Sequence, residues 1–390
     1  MRRLLLLGST VVFLDVAFYA AITPLLPDYV DELGLSKTAA GVLSASYAAG
    51  TLIASLPGGL MAARVGPRRT LLSGLLLLGV SSLVFGFAND VLLLDTARFA
   101  QGVAGALTWA GALTWLISAT PEDRRGSVIG DVLGAAIAGA LLGPALGALA
   151  EEIGTEPVFS SVLVLTAWLS VAALSMSEPG RGEQQPVREV VRAVVGPDVL
   201  RATWYVAAPS VMFGVVAVLV PLRIDELGGG AGVVAGGFIV GAAIEASLAP
   251  LMGRLSDRVG RLRPYAAGIL ISAAGIALVP AAGALGVILA LLTLTLVGAG
   301  ICFAPAVAML SDAAETSRLH QGFAAGLINV AWAAGQVTGS VGGGATAAAA
   351  GDALPCLLVA ALLLATAAIA RETRVARAPA ASVAAWRTED

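Results

Sequence analysis

The feature that most constrains the fold is a short hairpin sequence that occurs twice. Residues 59–72 read GLMAARVGPRRTLL and residues 253–266 read GRLSDRVGRLRPYA, so the pattern Gly-x-x-x-x-Arg-Val-Gly recurs 194 positions along a chain of 390 residues. The same offset relates the DELG sequence of residues 31–34 to that of residues 225–228. Internal similarity at a fixed offset indicates structural repeats. The chain is therefore expected to consist of two similar halves.

Composition decides the solvent in which these halves fold. The chain is 58% hydrophobic and only 13% charged, with a mean hydropathy of +0.89. This small number of charges cannot cover the surface of a water-soluble protein of this size. Lipid must therefore contact much of the protein surface. A hydrophobic chain made of two repeats is typical of transporters whose binding site lies between the repeats. The net charge of −3 is uninformative about partners, but the 23 basic residues form no basic field that suits nucleic acid.

Twelve apolar segments are long enough to cross a bilayer, which takes about 20 residues per helix. Backbone polar groups cannot remain unpaired in lipid, so the segments should be α-helical. The first segment continues past Pro27 without an A-x-A cleavage pattern, which favours a membrane helix over a signal peptide. The predicted fold class is an all-α integral membrane protein, with twelve transmembrane helices in two pseudo-symmetric six-helix bundles.

A polar stretch divides the predicted helices six and six. The expected organisation is an N-terminal bundle over 1–177, a cytoplasmic linker over 178–200, a C-terminal bundle over 201–371 and a tail over 372–390. Valines in the linker share one helical face, which favours a short interfacial helix, although a solvated linker remains an alternative. The tail is expected to be disordered.

Arginine distribution predicts the orientation. With an even number of helices, arginines such as Arg64 and Arg254 fall on one side of the membrane, while the opposite loops hold only Lys37 and Arg223 among many acids. The positive-inside rule then places both termini in the cytoplasm of a multi-pass plasma-membrane protein.

Four segments carry a family resemblance. The repeated hairpins Gly59–Arg69 and Gly253–Arg263 resemble the loop motif after the second helix and its copy in the other half. RFAQGVAGA from Arg98 resembles the fourth-helix RxxQGxGxA motif, and GALLGPALG (Gly139, Gly143, Pro144, Gly147) resembles the fifth-helix GxxxGPxxG antiporter motif. Phe13–Asp15, followed by PLLP at residues 24–27, resembles the first helix of the same family. Together they resemble the twelve-helix drug:proton antiporter group of the major facilitator superfamily, including its vesicular amine branch.

This resemblance implies a secondary active transporter, monomeric and without cofactor, that exports a small amphipathic or cationic compound in exchange for protons by alternating access. Proton-coupled uptake of a metabolite remains an alternative. Two departures limit the analogy. Ala63 stands where the first loop motif has an aspartate that the second copy keeps as Asp257. Gly300 and Asn329 stand where the amine branch has acids, which argues against monoamine specificity.

Three acids within predicted helices are candidates for proton coupling. Asp15 is expected about 16 Å deep in the first helix, and Glu245 lies near the middle of the eighth. Charged groups at such depth are costly and are functional by default, so both are candidates for proton coupling and substrate contact, with a structural hydrogen bond as the alternative. Asp131 is a weaker coupling candidate that alternatively accepts hydrogen bonds from Arg124 or Arg125.

Arg98 is the basic member of the predicted coupling group. A buried guanidinium needs acceptors, and Asp95 or Asp15 is expected to supply one. In the family this arginine is linked to proton movement. The alternative is an arginine that extends to the membrane rim and pairs with Asp95.

The remaining site predictions concern the cavity and the loops. Aromatic and polar side chains predict a cavity for aromatic or cationic molecules; its expected lining is Asp15, Tyr19, Trp109, Glu245, Phe303, Asn329, Trp332 and Gln336. Gly66 and Gly260 are expected to permit the hairpin turns. The family resemblance implies a conformational latch in which Asp257 and Arg258 bond the other half; its residues are Gly59, Arg64, Gly66, Asp257, Arg258 and Gly260. Alternatively, Arg64, Arg68 and Arg69 serve only as positive-inside anchors.

Other function classes lack the residues they need. An ATP-driven pump would need a phosphate loop ending in Gly-Lys-Ser/Thr, whereas the only lysine lies in the sequence Leu-Ser-Lys37-Thr. One histidine and two separated cysteines supply neither a metal site nor a nucleophile–base pair, so no enzymatic activity is expected. A non-transporting sensor remains an alternative that a flux assay would distinguish.

Overall fold

The computed structural model describes residues 1–121, 124–177, 187–319 and 321–385, and this part of the chain contains helices and no β-strand. The helices are α1 (Arg2–Ala20), α2 (Ile22–Leu33), α3 (Lys37–Arg64), α4 (Pro67–Gly86), α5 (Val91–Ser118), α6 (Arg125–Ile153), α7 (Thr155–Leu174), α8 (Val187–Val194), α9 (Pro197–Glu226), α10 (Ala231–Val259), α11 (Leu262–Leu278), α12 (Leu285–Thr316), α13 (Gln321–Ala350) and α14 (Ala353–Ala385).

The described helices match the predicted twelve. Ala21 has helical backbone angles, so α1 and α2 form one continuous segment, and α8 is the short helix expected in the linker. Ten of the other segments are long and apolar enough to span a membrane. The remaining two, α5 and α13, have 28 and 30 residues but carry buried polar side chains, among them Arg98, Gln101 and Gln336. Their lower hydropathy reflects faces that pack inside the protein.

The sequence repeat is also a repeat of backbone conformation. Gly34 and Gly228 end the first helical segment of each half with φ of 60° and 82°. Gly66 and Gly260 form the two hairpin turns with φ of 114° and 85°, as predicted for these glycines. Residues with a Cβ rarely adopt such angles, so glycine is required at these turns.

Helix packing follows the same two-fold relation. In the first half (α1–α7), α1 packs against α6, α3 against α5, and α4 against α7. In the second half (α9–α14) the equivalent pairs are α9 with α13, α10 with α12, and α11 with α14. The halves meet through α3 with α13 and through α6 with α10, which exchange under the two-fold relation. This arrangement is the predicted pair of six-helix bundles.

Glycines every four residues permit close contacts between helices. The α6 glycines Gly139, Gly143 and Gly147 face backbone carbonyls of α1 at Phe13, Ala17 and Ala21. The α13 glycines Gly335, Gly339 and Gly343 face α9 at Ala207, Val211 and Val215. Small residues at this spacing let helix backbones approach closely in lipid. The antiporter-like motif around the buried Pro144 therefore forms the α1–α6 contact, and α13 repeats it.

The two repeated hairpins lie at the same end of the molecule. Lys37 at the start of α3 contacts Glu226, which precedes α10. Because α3 and α10 both begin at this end and have 28 and 29 residues, Gly66 and Gly260 follow them at the opposite end. We refer to the two ends as the Lys37 end and the hairpin end.

The C-terminal segment differs from the sequence prediction. Helix α14 continues to Ala385, so helix replaces the expected disorder over 372–385. Alanine and arginine, which are frequent in this segment, favour helix. Residues 386–390 and the first part of the linker, 178–186, lie outside the described residues.

Candidate functional site

Asp15 is the centre of a buried polar cluster in the first half. Its side chain, in the middle of α1, is only 1% exposed. The Tyr47 hydroxyl on α3 lies 2.9 Å from both carboxylate oxygens and donates to them. The Trp109 indole Nε1 on α5 donates to Oδ2 at 3.1 Å. Two neighbouring helices thus supply the hydrogen bonds that a buried carboxylate requires.

Arg98 is fully buried and bonds to neutral acceptors, contrary to the expected pairing with Asp95 or Asp15. Its Nη1 donates to the Phe18 carbonyl at 3.3 Å and to Gln101 Oε1 at 3.0 Å. Its Nη2 donates to the Tyr19 carbonyl at 3.1 Å. Asp95 instead lies 3.5 Å from the Ser46 hydroxyl. The side chain of Arg98 points inward to α1, so the rim pairing predicted as the alternative is also absent.

Aromatic rings surround the Arg98 guanidinium. Its carbon lies 5.3 Å from the Tyr47 ring centre, 5.8 Å from that of Tyr19 and 5.9 Å from that of Phe85. Aromatic faces attract cations at such distances, and more strongly when water is excluded. Tyr47 therefore interacts with the guanidinium through its ring and with Asp15 through its hydroxyl.

Tyr19 connects this cluster to the second half. Its ring packs against Tyr47 in the first half, with centroids 4.7 Å apart, and against Trp332 of α13 at 5.4 Å. The Gln336 amide on α13 donates to the Tyr19 hydroxyl at 2.6 Å. Gln336 Oε1 is buried and has no hydrogen-bond partner among the described residues. A free acceptor thus lies beside the aromatic rings where the halves meet.

Five of the eight predicted cavity residues lie in one cluster. Asp15, Tyr19, Trp109, Trp332 and Gln336 belong to the cluster just described. Glu245 lies elsewhere, on α10 against Gly300 of α12, where a Cβ on the glycine would lie 3.0 Å from the Glu245 Cα. Phe303 packs against Phe213, with centroids 6.3 Å apart, and Asn329 is partly buried on α13.

Glu245 and Asp131 lack the partners of Asp15. Glu245 is partly buried, and no hydrogen bond or ion pair joins it to another described residue. Asp131 is exposed and is likewise unbonded within the described part of the chain, so the expected pairing with Arg124 or Arg125 is absent. The Arg125 Nε donates instead to the Thr120 carbonyl at 3.3 Å.

The predicted latch acid Asp257 pairs within its own half in this conformation. Asp257 and Arg258 are exposed. Asp257 lies 3.7 Å from Arg261 of the same half, and Arg261 lies 2.7 Å from Asp312 of α12. The Asp257 ion pair therefore joins two residues of the second half, and the latch between the halves stays a prediction for another conformational state.

Tyr47 is the site residue that sequence reasoning missed. Its hydroxyl in the small-residue sequence SASYAAG was the available signal, because a hydroxyl within an apolar helix needs a partner. Gln101 was noted only as a motif residue. It accepts from Arg98 and donates to the Ser82 hydroxyl at 3.1 Å, which extends the buried network into α4.

Comparison with known proteins agrees with this architecture. The family model for the Major Facilitator Superfamily matches residues 6–248 and 215–387, which together cover most of the chain. The chain belongs to the major facilitator superfamily. Members of this family are multi-pass membrane transporters of small molecules, so the coarse function predicted from the motifs is confirmed.

The curated relatives include multidrug transporters at low identity. The multidrug resistance protein MdtG of Escherichia fergusonii is 28% identical over 287 residues, which cover 70% of each chain. MdtG of Escherichia coli is 27% identical over 275 residues, 66% of this chain and 67% of the relative. The uncharacterized MFS-type transporter C18.02 of Schizosaccharomyces pombe is 34% identical over 128 residues, and this match spans only 29% of the yeast protein.

Solved structures show the same fold. A crystal structure of a bacterial homolog of the human lysosomal transporter Spinster, inward-facing and unoccupied, superposes with a TM-score of 0.75 at 14% identity. The inward-facing, occupied form gives a TM-score of 0.77 at 15% identity. Each match covers 94% of this chain and 95% of the solved chain. At this identity the likeness establishes the fold alone.

Proposed function

We propose that this transporter is a proton-coupled exporter of small amphipathic or cationic compounds that works by alternating access and catalyses no chemical reaction. The observation that carries the proposal is the buried Asp15 carboxylate, bonded by Tyr47 and Trp109 and close to the surface between the halves. The likeness to multidrug resistance proteins supports export as the direction.

The proton step follows from the position of Asp15. A carboxylate in the membrane interior remains charged only with partners, and its two donors supply them here. When a proton binds, the carboxyl group becomes neutral and its attraction for a cation is lost. Release of that proton on the other side restores the charge, so a cation and a proton compete for one group. A group that changes charge between two states shifts the equilibrium between them.

The surroundings of Asp15 favour a particular substrate class. Tyr19 and Trp332 offer aromatic faces, and Gln336 Oε1 offers an unpaired acceptor at the contact between the halves. A cation carrying an N–H donor and an apolar body satisfies each of these groups. Glu245 in the second half offers a separate negative charge for a second substrate contact.

Orientation and organisation belong to the same proposal. The arginine-rich hairpin end faces the cytoplasm, together with both termini, and the Lys37 end faces outward. The two bundles, residues 1–177 and 201–371, rock against each other around the Asp15 cluster while the linker connects them. The protein acts as a monomer in the plasma membrane.

Flux in proteoliposomes tests the proposal. Purified protein is reconstituted with the fluorescent lipophilic cation ethidium, and a pH gradient is imposed in either direction. Wild type moves ethidium against its gradient toward the acidic side, and Asp15→Asn does not. Movement toward the alkaline side indicates symport, and a wild type without gradient-driven flux contradicts proton coupling for this probe. A folded Asp15→Asn variant with undiminished flux rules out Asp15 as the carrier.

A further inference from the structure

Tyr47 makes two different contacts with the charged groups of the site. Its hydroxyl lies 2.9 Å from each Asp15 oxygen, and its ring lies 5.3 Å below the Arg98 guanidinium carbon. Tyr47 itself is only 5% exposed. The Gly102 backbone of α5 packs directly against the Tyr47 carbonyl, so a side chain at residue 102 would displace α3. The position of the phenol is therefore set by its contacts with Asp15 and Arg98 and by the packing of the Tyr47 backbone against Gly102.

We propose that Tyr47 is a positioning residue that holds Asp15 in its charged form and orients it for proton exchange. This inference rests on the proposed role of Asp15 in proton coupling. Hydrogen bonds to a charged group are stronger than those between neutral groups, so donation by Tyr47 favours the carboxylate over the carboxylic acid. Loss of the donor must therefore favour the protonated form.

Within the described residues, few other polar or charged groups lie near the Asp15 carboxylate. Within the described residues, α5 supplies the Trp109 indole and the Arg98 guanidinium, and α1 itself supplies the Tyr19 phenol on the next turn. The Trp109 indole donates to one oxygen only. The Arg98 guanidinium lies over the Tyr47 ring and donates its hydrogen bonds to Phe18, Tyr19 and Gln101. Tyr47 is thus the donor that contacts both oxygens.

Infrared spectroscopy of the purified protein tests this without a substrate. The Asp15 carboxyl stretch is identified as the band lost in Asp15→Asn, and its intensity is followed against pH. Tyr47→Phe keeps the ring under Arg98 but removes the hydroxyl. The pH at which the Asp15 band disappears should rise by about one unit or more in this variant. Trp109→Phe should produce a smaller rise.

Tyr19→Phe is the matched control, because it removes a hydroxyl from the same cluster and leaves both Asp15 donors in place. It should leave the Asp15 band unchanged. An unchanged band in a folded Tyr47→Phe variant overturns the proposal, as does an equal shift in Tyr19→Phe. A shifted band together with wild-type flux in Asp15→Asn would contradict the proton-coupling role but not the positioning of Asp15, so the two failures are distinguishable.

A second observation concerns the Lys37 end of the molecule. The Lys37 ammonium, at the start of α3, lies 2.7 Å and 2.8 Å from the two Asp352 oxygens between α13 and α14. It also lies 3.4 Å from Glu226 at the end of α9, which Arg223 contacts at 2.9 Å. Lys37 belongs to the first half and both acids belong to the second. The ion pairs therefore join the halves.

Backbone packing supports the same contact. A Cβ on Gly344 of α13 would collide with the Lys37 carbonyl, and a Cβ on Gly41 of α3 would collide with the Ser340 carbonyl. The two helices are thus as close as their backbones allow directly beside the ion pairs. We infer that Lys37, Asp352 and Glu226 form a clasp that holds the Lys37 end closed and opens when the transporter exposes its site on that side.

The uniqueness of Lys37 supplies the test. It is the only lysine in the chain, so mass spectrometry can follow its acylation by an N-hydroxysuccinimide ester separately from that of the N-terminus. Asp352→Asn should raise the acylation rate at least severalfold, and Glu226→Gln should raise it less. Glu152→Gln, which removes one exposed acid with no hydrogen bond or ion pair to another described residue, is the charge-matched control. Equal rates in wild type and a folded Asp352→Asn variant overturn the clasp.

Discussion

Gly105 leaves the space that the Asp15 carboxylate occupies. A Cβ at residue 105 would lie 2.8 Å from Asp15 Oδ1 and 3.0 Å from Oδ2, and would also collide with the Tyr47 hydroxyl. The glycine of the fourth-helix motif therefore places α5 close enough for a carboxylate on α1 and a phenol on α3 to meet. The family motif and the coupling candidate are parts of one packing arrangement.

Gly105→Ala should displace Asp15 and Tyr47. We expect a loss of about 1–3 kcal/mol in stability from overpacking and a large loss of ethidium flux. Gly130→Ala is the control, because a Cβ at that position meets nothing within 4 Å. Thermal unfolding and flux of the two variants measure the difference. Equal behaviour of both variants would show that the close packing at Gly105 is dispensable.

Arg98→Lys should not substitute for arginine. The guanidinium reaches two α1 carbonyls and Gln101 while lying among three aromatic rings, and a single ammonium cannot reproduce this planar arrangement. We expect ethidium flux to fall at least tenfold and the affinity for ethidium to fall less, since the Arg98 side chain points towards the α1 backbone. Binding is measured by tryptophan fluorescence quenching. Wild-type flux in Arg98→Lys would show that transport needs only a positive charge at residue 98 and not the planar guanidinium.

Glu245→Gln should affect transport differently from Asp15→Asn. Glu245 lies on α10 against Gly300 and is separate from the Asp15 cluster. We expect Glu245→Gln to retain flux driven by a pH gradient, with a weaker preference for cations over neutral compounds. Competition between ethidium and neutral compounds in proteoliposomes measures this preference. If Glu245→Gln abolishes gradient-driven flux, Glu245 becomes the coupling carboxylate.

Gly344→Ala should loosen the α3–α13 contact without removing a charge. The added methyl group would collide with the Lys37 carbonyl, whereas Gly342→Ala meets nothing within 4 Å. We expect faster Lys37 acylation in the first variant and a wild-type rate in the second. This comparison separates the packing contribution at the Lys37 end from the ion pairs, and equal rates would assign closure to the ion pairs alone.

Asp257→Ala should shift the balance toward forms that are open at the hairpin end. Ala63 already lacks the acid of the first loop motif, so closure there depends on the second copy. We expect a cysteine placed in the gap at the hairpin end to be labelled faster in Asp257→Ala and at an unchanged rate in Asp312→Ala, which removes an acid that pairs within the same half. Unchanged labelling in Asp257→Ala would count against the latch.

The sequence by itself determined the architecture, because the features that set it, namely apolar length, repeat spacing and turn glycines, are local features of the sequence. Apolar length sets the number of membrane helices, and the 194-residue offset sets their two-fold arrangement, down to paired positive φ at Gly66 and Gly260. Glycines every four residues on α6 and α13 similarly indicated close helix contacts. Asp15 and Arg98 were recognisable because charged residues are costly inside apolar helices.

Only the tertiary structure decided the partners of these residues. Arg98 was expected to bond a carboxylate, but α1 presents the Phe18 and Tyr19 carbonyls within its reach. Tyr47 and Lys37 gained their roles from residues on other helices, with Lys37 and Asp352 315 positions apart in the chain. Hydropathy and periodicity describe one helix at a time. Which donor meets which acceptor depends on the rotation and depth at which separate helices pack, and those are set by the whole bundle.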